Sequence, residues 1–284
     1  MNLQSVFKMP EWVCEYCDSS LISIQHGIVE EINLNMARLS NQRPCVSIVI
    51  PIYNEGVSIL NTVLSLSRQI TQYPFEIICV DNNSDDRTAE IIKVLSVTYC
   101  FQNTQGCGPA RQMGIERARG AYVLSADADG LYPSGWVQGM IDVLKKESAT
   151  CVYGRYSYIE TPKYKRYQLF FYELFKEVLS EIKNINRPYL NAGGISMGFT
   201  KVDSLEIGFD IRHIAGEDGR MCFDLMQRGK VVYVRSNALR VWTLPRSLNR
   251  KDGSFFDKIR KEIMKLYSCL YPASQHDTKV SQNS

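Results

Sequence analysis

The sequence predicts an α/β fold organised around a largely parallel β-sheet, and three features carry that prediction. Apolar, β-branched runs recur at residues 46–50, 75–80 and 121–126. Segments with apolar residues at helical spacing separate them. Each run also ends in a cluster of polar and acidic residues. Strands alternating with helices form βαβ units, and right-handed crossovers bring successive strand ends to one edge.

Taken in order, residues 1–43 lack strand signals. Leu21, Ile22, Ile24, Ile28, Ile32 and Leu34 suit one amphipathic helix, followed by a polar linker ending at Pro44. The first strand runs from Val46 to Ile50 and is expected to close at Pro51, which lacks a ladder donor. Ser58 is expected to cap a helix carrying Leu60, Val63, Leu64 and Ser67. The second strand, 75–80, ends at Asp81, and Asp85 or Asp86 caps the helix of Ile91, Ile92 and Leu95. Gly108 and Pro109 open another helix, proline suiting its first turn, and Gly120 is expected to close it. A third strand then leads into Asp127, Ala128 and Asp129. Residues 163–183 form a long amphipathic helix with Phe170, Phe171, Leu174, Val178 and Ile182 on or near one face. Asn191 to Gly194 is a glycine-rich loop. Gly216, Glu217 and Asp218 precede a helix of Met221, Cys222, Leu225 and Met226, and 231–234 is a short strand.

Composition narrows the function classes. The chain has 284 residues, 45% hydrophobic and 22% charged, within the range of globular proteins. Its 33 basic and 30 acidic groups leave a net charge of +3, too balanced for nucleic acid as a bulk partner. No run approaches the roughly 18 apolar residues of a membrane span, and the polar N-terminus does not resemble a secretory signal. Nine cysteines scattered through strands and helices, Cys79, Cys151 and Cys222 among them, point to reduced, buried thiols and a cytoplasmic location. Cys14 and Cys17 form a lone CxxC, weak as a zinc signal.

The shared edge is the candidate site. It gathers Tyr53, Asn54 and Glu55, then Asp81 to Asp85, then Asp127 and Asp129. Each cluster alone reads equally as turn chemistry. Together they describe a crevice for a polar ligand, and two carboxylates two apart at a strand end suit a divalent cation held against a phosphate.

These pieces resemble, in order, the family 2 glycosyltransferases of the GT-A fold: residues 46–55, 80–88, the glycine-and-arginine helix start 106–114, the Asp127-Ala128-Asp129 DxD, and Gly216-Glu217-Asp218. The resemblance covers about 44–245. It implies an N-terminal helical extension over 1–43, a transferase domain over 44–245 with a smaller acceptor-side subregion, and an amphipathic helix and tail over 246–284. It also implies a nucleotide-sugar donor, most often a UDP-sugar, and Mg²⁺ or Mn²⁺ as cofactor. Pro51, Tyr53, Glu55, Asp81, Asn83, Arg111 and Asp127 would line the donor, and Asp127 and Asp129 would hold the metal. Asp218 would be the catalytic base with Glu217 beside it, and direct displacement would invert the anomeric centre. The acceptor would be a saccharide or lipid-linked saccharide in envelope polysaccharide assembly. Transfer to polyprenyl phosphate and a silent sugar-nucleotide binding module are the rival readings. The family's histidine after the last core strand is missing from 240–247, so Arg246 is a candidate to supply positive charge, and His213 is a candidate near the site. Trp136, Tyr158, the 164–183 helix and 191–196 are acceptor-side candidates, with core packing their ordinary role. The basic amphipathic stretch 255–266 suits a peripheral contact with the inner face of an anionic membrane.

Overall fold

The structure is a computed structural model that describes residues 8–16, 25–210, 216–249, 260 and 264. His213, Cys17 and most of the stretch 255–266 lie outside them.

The expected strands form β1 (Val46–Ile52), β2 (Phe75–Asp81), β3 (Thr98–Phe101) and β4 (Tyr122–Ser125), all parallel. With β6 (Cys151–Gly154), β8 (Met197–Thr200) and β9 (Val231–Val234) they make a seven-stranded sheet of order β3-β2-β1-β4-β8-β6-β9. Only β8 runs against its neighbours β4 and β6. A second sheet of order β5-β10-β7 joins β5 (Gly130–Leu131), β10 (Val241–Thr243) and β7 (Tyr156–Tyr158).

Both faces of the large sheet are covered, which is why its strands read as continuous apolar runs. Ile48, Ile50, Ile77 and Cys79 face one core, and Val49, Ile78, Val80 and Val123 face the other, the period-two alternation of a strand. The first core is closed by α1 (Glu11–Glu15), α2 (Gln25–Ala37), α3 (Ile59–Ser67) and α6 (Trp136–Lys146), through Val13, Ile28, Ile32, Val63 and Trp136. The second core is closed by α5 (Cys107–Arg117) and α9 (Glu217–Met226), through Ala110, Ile115, Met221 and Leu225. Between them in sequence lie α4 (Thr88–Lys93), α7 (Arg166–Asn186) and α8 (Lys201–Ile207), and α10 (Arg246–Asn249) follows β10. Among the described residues no helix is long and apolar enough to cross a membrane. Seven cysteines are described, all free thiols.

Several local expectations need correction. β1 continues through Pro51 to Ile52. The Ile52 carbonyl accepts from the Asn82 amide on the β2 side at 2.7 Å. Successive residues bond to opposite sides, so the proline nitrogen faces β4, whose pairing with β1 has already ended at Val49. Ser58 caps nothing; its hydroxyl lies 2.6 Å from the Glu55 carbonyl and 2.8 Å from the Glu55 carboxylate. Gly120 does not end α5. A Cβ there would stand 2.7 Å from the Val46 carbonyl carbon and 2.8 Å from Cys45 and Ser47 backbone atoms, so only glycine lets this loop lie against β1. Leu34 is exposed, and Met36 takes the buried place on α2.

The long helix α7 departs further. Leu174, Val178 and Ile182 face outward, and the buried side carries Leu169, Tyr172, Glu173 and Leu179. Glu173 accepts both terminal nitrogens of Arg166, at 2.9 and 2.5 Å, and the Tyr158 amide at 2.7 Å. This pair, internal to α7, therefore docks the helix on the Tyr158 backbone where apolar residues were expected to. Trp136 is fully buried on Tyr132, with its indole N–H donating to Ser196, and is a core residue rather than an acceptor platform.

Candidate active site

The parallel strands deliver their carboxyl ends to one edge, and side-chain hydrogen bonds lace the three loops there. The Asn54 amide donates to Ser84 Oγ, and Asn54 Oδ1 accepts the Asp85 amide, both at 3.0 Å. Thr88 Oγ1 accepts the amides of Glu55 and Gly56. Asn82 accepts the Gly106 amide at 2.6 Å and donates to the Thr104 carbonyl at 2.7 Å, tying the β2 loop to the start of α5. Asn54 and Asn83 both sit at positive φ, 52° and 63°, a conformation asparagine tolerates.

Asp81, the last residue of β2, is buried. One oxygen accepts the Ser84 amide and the other the Tyr99 hydroxyl, both at 3.1 Å. Tyr53 and Asn83 are exposed above it, and Pro51 is half-buried.

Arg111 organises the centre. Its side chain is 4% exposed and lies between α5, β4 and α9. Nη2 meets Asp127 at 2.9 Å, and Nη1 meets Glu217 at 3.1 Å and Asp218 at 2.7 Å. Nε donates to Ser125 at 3.1 Å. Gly194 makes room for it, because a Cβ there would stand 1.9 Å from Nη2. The Gly194 amide donates to Asp218 Oδ2 at 2.8 Å. Asp218 Oδ1 is buried without a hydrogen-bond donor, its contact with Arg111 being Coulombic rather than aligned.

A second cation closes the donor side. Arg246 forks onto Glu55, with Nη2 2.7 Å from Oε2, and reaches Asp129 with Nε at 3.4 Å. Thr243 Oγ1 donates to the other Asp129 oxygen at 3.0 Å. The small sheet sets this geometry, because Thr243 pairs with Gly130 directly after Asp129.

Five carboxylates thus share two guanidiniums. Crowding by the surrounding protein pushes Asp127 up to about 6 although its side chain stays 37% exposed, with Asp218 and Asp129 adding to the rise against Arg111. Burial also raises Asp129, with Glu55 adding and Arg246 opposing. For Arg111 burial opposes the charge, but Asp218 and Asp127 outweigh it and raise its pKa. The surplus negative charge and the hard oxygen donors of Asp127 and Asp129 fit Mg²⁺ or Mn²⁺. Among the described residues no three His, Cys, Asp or Glu side chains converge on one ion, so phosphate and water oxygens would complete the shell.

The sequence-predicted residues therefore assemble into two halves, a strand-edge half around Asp81, Glu55 and Asp129 and a helix-start half around Glu217 and Asp218, with Arg111 and Asp127 between them. Sequence reasoning did not single out Thr243 or Tyr132. The Tyr132 hydroxyl accepts the Asp127 amide at 2.8 Å and donates to the Ile195 carbonyl at 3.0 Å. Thr243 lay within the stretch noted for its missing histidine. Tyr132, three residues after Asp129, carried no pattern of its own.

Comparison with known proteins places the fold and the family. Chondroitin synthase of Escherichia coli is 27% identical over 201 residues, spanning 67% of this chain and 28% of its own length. Glycosyltransferase GlyG of Streptococcus pneumoniae is 30% identical over 117 residues, 39% of this chain and 38% of its own. The chain thus spans well under half of these relatives. Among solved structures, S. aureus TarS superposes with a TM-score of 0.56 at 16% identity, over 83% of this chain and 46% of that one. The mannosyltransferase PcManGT of Pyrobaculum calidifontis, solved with GDP-Man and Mn²⁺, superposes with a TM-score of 0.55 at 17% identity, over 89% and 74%. These likenesses show the GT-A fold. The family profile described as Glycosyl transferase family 2 matches residues 47–203, more than half of the sequence, and the chain belongs to that family.

Proposed function

We propose that this chain is an inverting glycosyltransferase that moves a sugar from a nucleoside-diphosphate sugar, a UDP-sugar in the first instance, to a hydroxyl of a saccharide or lipid-linked saccharide in envelope polysaccharide assembly. The observation that carries this reading is the placement of Asp218. It stands at the first turn of α9, held by the Gly194 amide and Arg111, and is separated by Arg111 from the strand-end carboxylates. TarS with UDP and with UDP-GlcNAc, and PcManGT with GDP-Man and Mn²⁺, support a nucleotide-sugar donor and a divalent metal.

In this reading Pro51, Tyr53, Glu55, Asp81 and Asn83 form the nucleoside pocket, and Asp127 and Asp129 would hold the metal. When bound, that ion neutralises charge developing on the departing diphosphate. Asp218 accepts the proton of the attacking hydroxyl as its oxygen bonds to C1 and the C1–O bond to the β-phosphate breaks, the nucleoside diphosphate leaving with the electron pair. One displacement inverts C1. Glu217 orients the acceptor, and Arg111 holds both carboxylates in place.

Arg246 occupies the space between Glu55 and Asp129, where a diphosphate would enter, and can transfer its charge to the phosphates. Arg246→Ala is therefore expected to weaken UDP binding about tenfold, and Asp129→Ala to remove the Mn²⁺-dependent part of that binding. Calorimetric titration of UDP with and without Mn²⁺ checks both. Unchanged metal dependence in Asp129→Ala would contradict the metal assignment.

A further inference from the structure

The most distinctive feature outside this machinery is a cavity of about 510 Å³ between α7 and the β6–β7 edge, a size that suits a small ligand. The loop of Leu190, Asn191 and Ala192 forms one wall. Leu190 and Ala192 also wall a neighbouring recess of about 470 Å³ that contains Asp218. The two recesses therefore lie side by side, with these residues as their common wall.

The cavity wall carries an unbalanced cation. Of the two glutamates beside Lys176 on α7, Glu173 is taken by Arg166 and Glu177 by Arg155 and Arg240. Lys176 is left with phenols. Its Nζ donates to the Tyr156 hydroxyl at 2.5 Å and lies 4.9, 6.0 and 5.7 Å from the ring centres of Tyr156, Tyr158 and Tyr172. Among the described residues it pairs with no carboxylate. Burial opposes its charge, yet the three phenols outweigh that and hold it protonated. An ammonium withdrawn from water without a counter-ion is costly. A second donor points the same way: Arg155, also on this wall, has a buried Nε with no acceptor among the described residues.

We propose that this cavity is an acceptor subsite for an anionic group, a sugar carboxylate or a phosphate, recognised by Lys176 and Arg155. The inference rests on the transferase reading, because it places the anion one recess away from Asp218.

The test is saturation-transfer NMR titration, in the presence of UDP and Mn²⁺, with methyl β-glucuronide, its neutral isostere methyl β-glucoside, and glycerol 3-phosphate. On wild type, at least one anion should bind about tenfold or more tighter than the glucoside. A preference for the glucuronide assigns the site to an acidic saccharide, and one for glycerol 3-phosphate to a phosphate-linked acceptor. Lys176→Met should erase the preference, Lys176→Arg should keep it, and UDP binding should be unchanged in both. If Lys176→Met does not fold, Arg155→Met on the same wall should weaken the preference. Equal binding of all three compounds, or a preference that survives loss of the Lys176 charge in a folded variant, overturns the proposal. UDP binding, read separately on wild type, reports on the transferase reading itself.

Discussion

Asp218→Asn is expected to cut transfer by about 10²- to 10⁴-fold while nucleotide binding stays within about twofold of wild type. The amide keeps the shape of the carboxylate and can still accept the Gly194 amide, now 2.8 Å from Oδ2. It cannot take a proton at neutral pH. The loss should therefore fall on kcat, with little change in the dissociation constant for UDP. Steady-state kinetics beside UDP titration separates the two. Glu217→Gln should cost less, because among the described residues Glu217 hydrogen-bonds only Arg111. Equal losses in both variants would mean that the pair, rather than Asp218, takes the proton.

The second large effect is structural. Arg111→Met should destabilise the fold by roughly 3–5 kcal/mol, because Asp127, Glu217 and Asp218 lose their shared cation. Thermal melting should fall by about 10 °C. The pH dependence follows from the sign of the shift. Asp127 is already raised to about 6 with Arg111 present, and removing the guanidinium raises it further. Stability held by the protonated form is fully present below the unfolded carboxylate range and is lost as pH rises through the folded pKa. The variant should therefore approach wild type at pH 5 and fall furthest behind at pH 8. A deficit that is constant with pH would mean that lost packing, not uncompensated charge, is responsible.

The arrangement of the fold was readable from local chemistry. The apolar runs at 46–50 and 75–80 carry β-branched residues that must be buried on both faces, which specifies a covered parallel sheet. The polar residues that end them then fall on one edge because the crossovers share a hand. The DxD and the acidic pair at α9 were visible as short patterns for the same reason. What brings them together was not. Arg111 joins residues 16 and 106 positions further along the chain, and such an approach depends on β4 and α9 meeting across the sheet edge. Thr243 reaches Asp129, 114 positions away in sequence, only because β10 pairs with β5. The outward face of α7 shows the limit of periodicity. An apolar stripe says that a face is uniform, but here the buried side is set by Arg166 and Glu173, which pair within α7 and together bond the Tyr158 backbone, a tertiary contact that the spacing does not encode.

In the proposed reaction the two halves of the crevice carry out one displacement on a nucleotide sugar. The most direct measurement follows nucleoside-diphosphate release and the anomeric configuration of the product by NMR, across UDP-, GDP- and dTDP-sugars with Mn²⁺. Metal-dependent turnover of one donor class, an inverted anomeric centre, and loss of that turnover in Asp218→Asn are expected. Retained configuration would contradict the single displacement. Binding of a donor with no release, unaffected by Asp218→Asn, would show instead a module that holds a sugar nucleotide without breaking it.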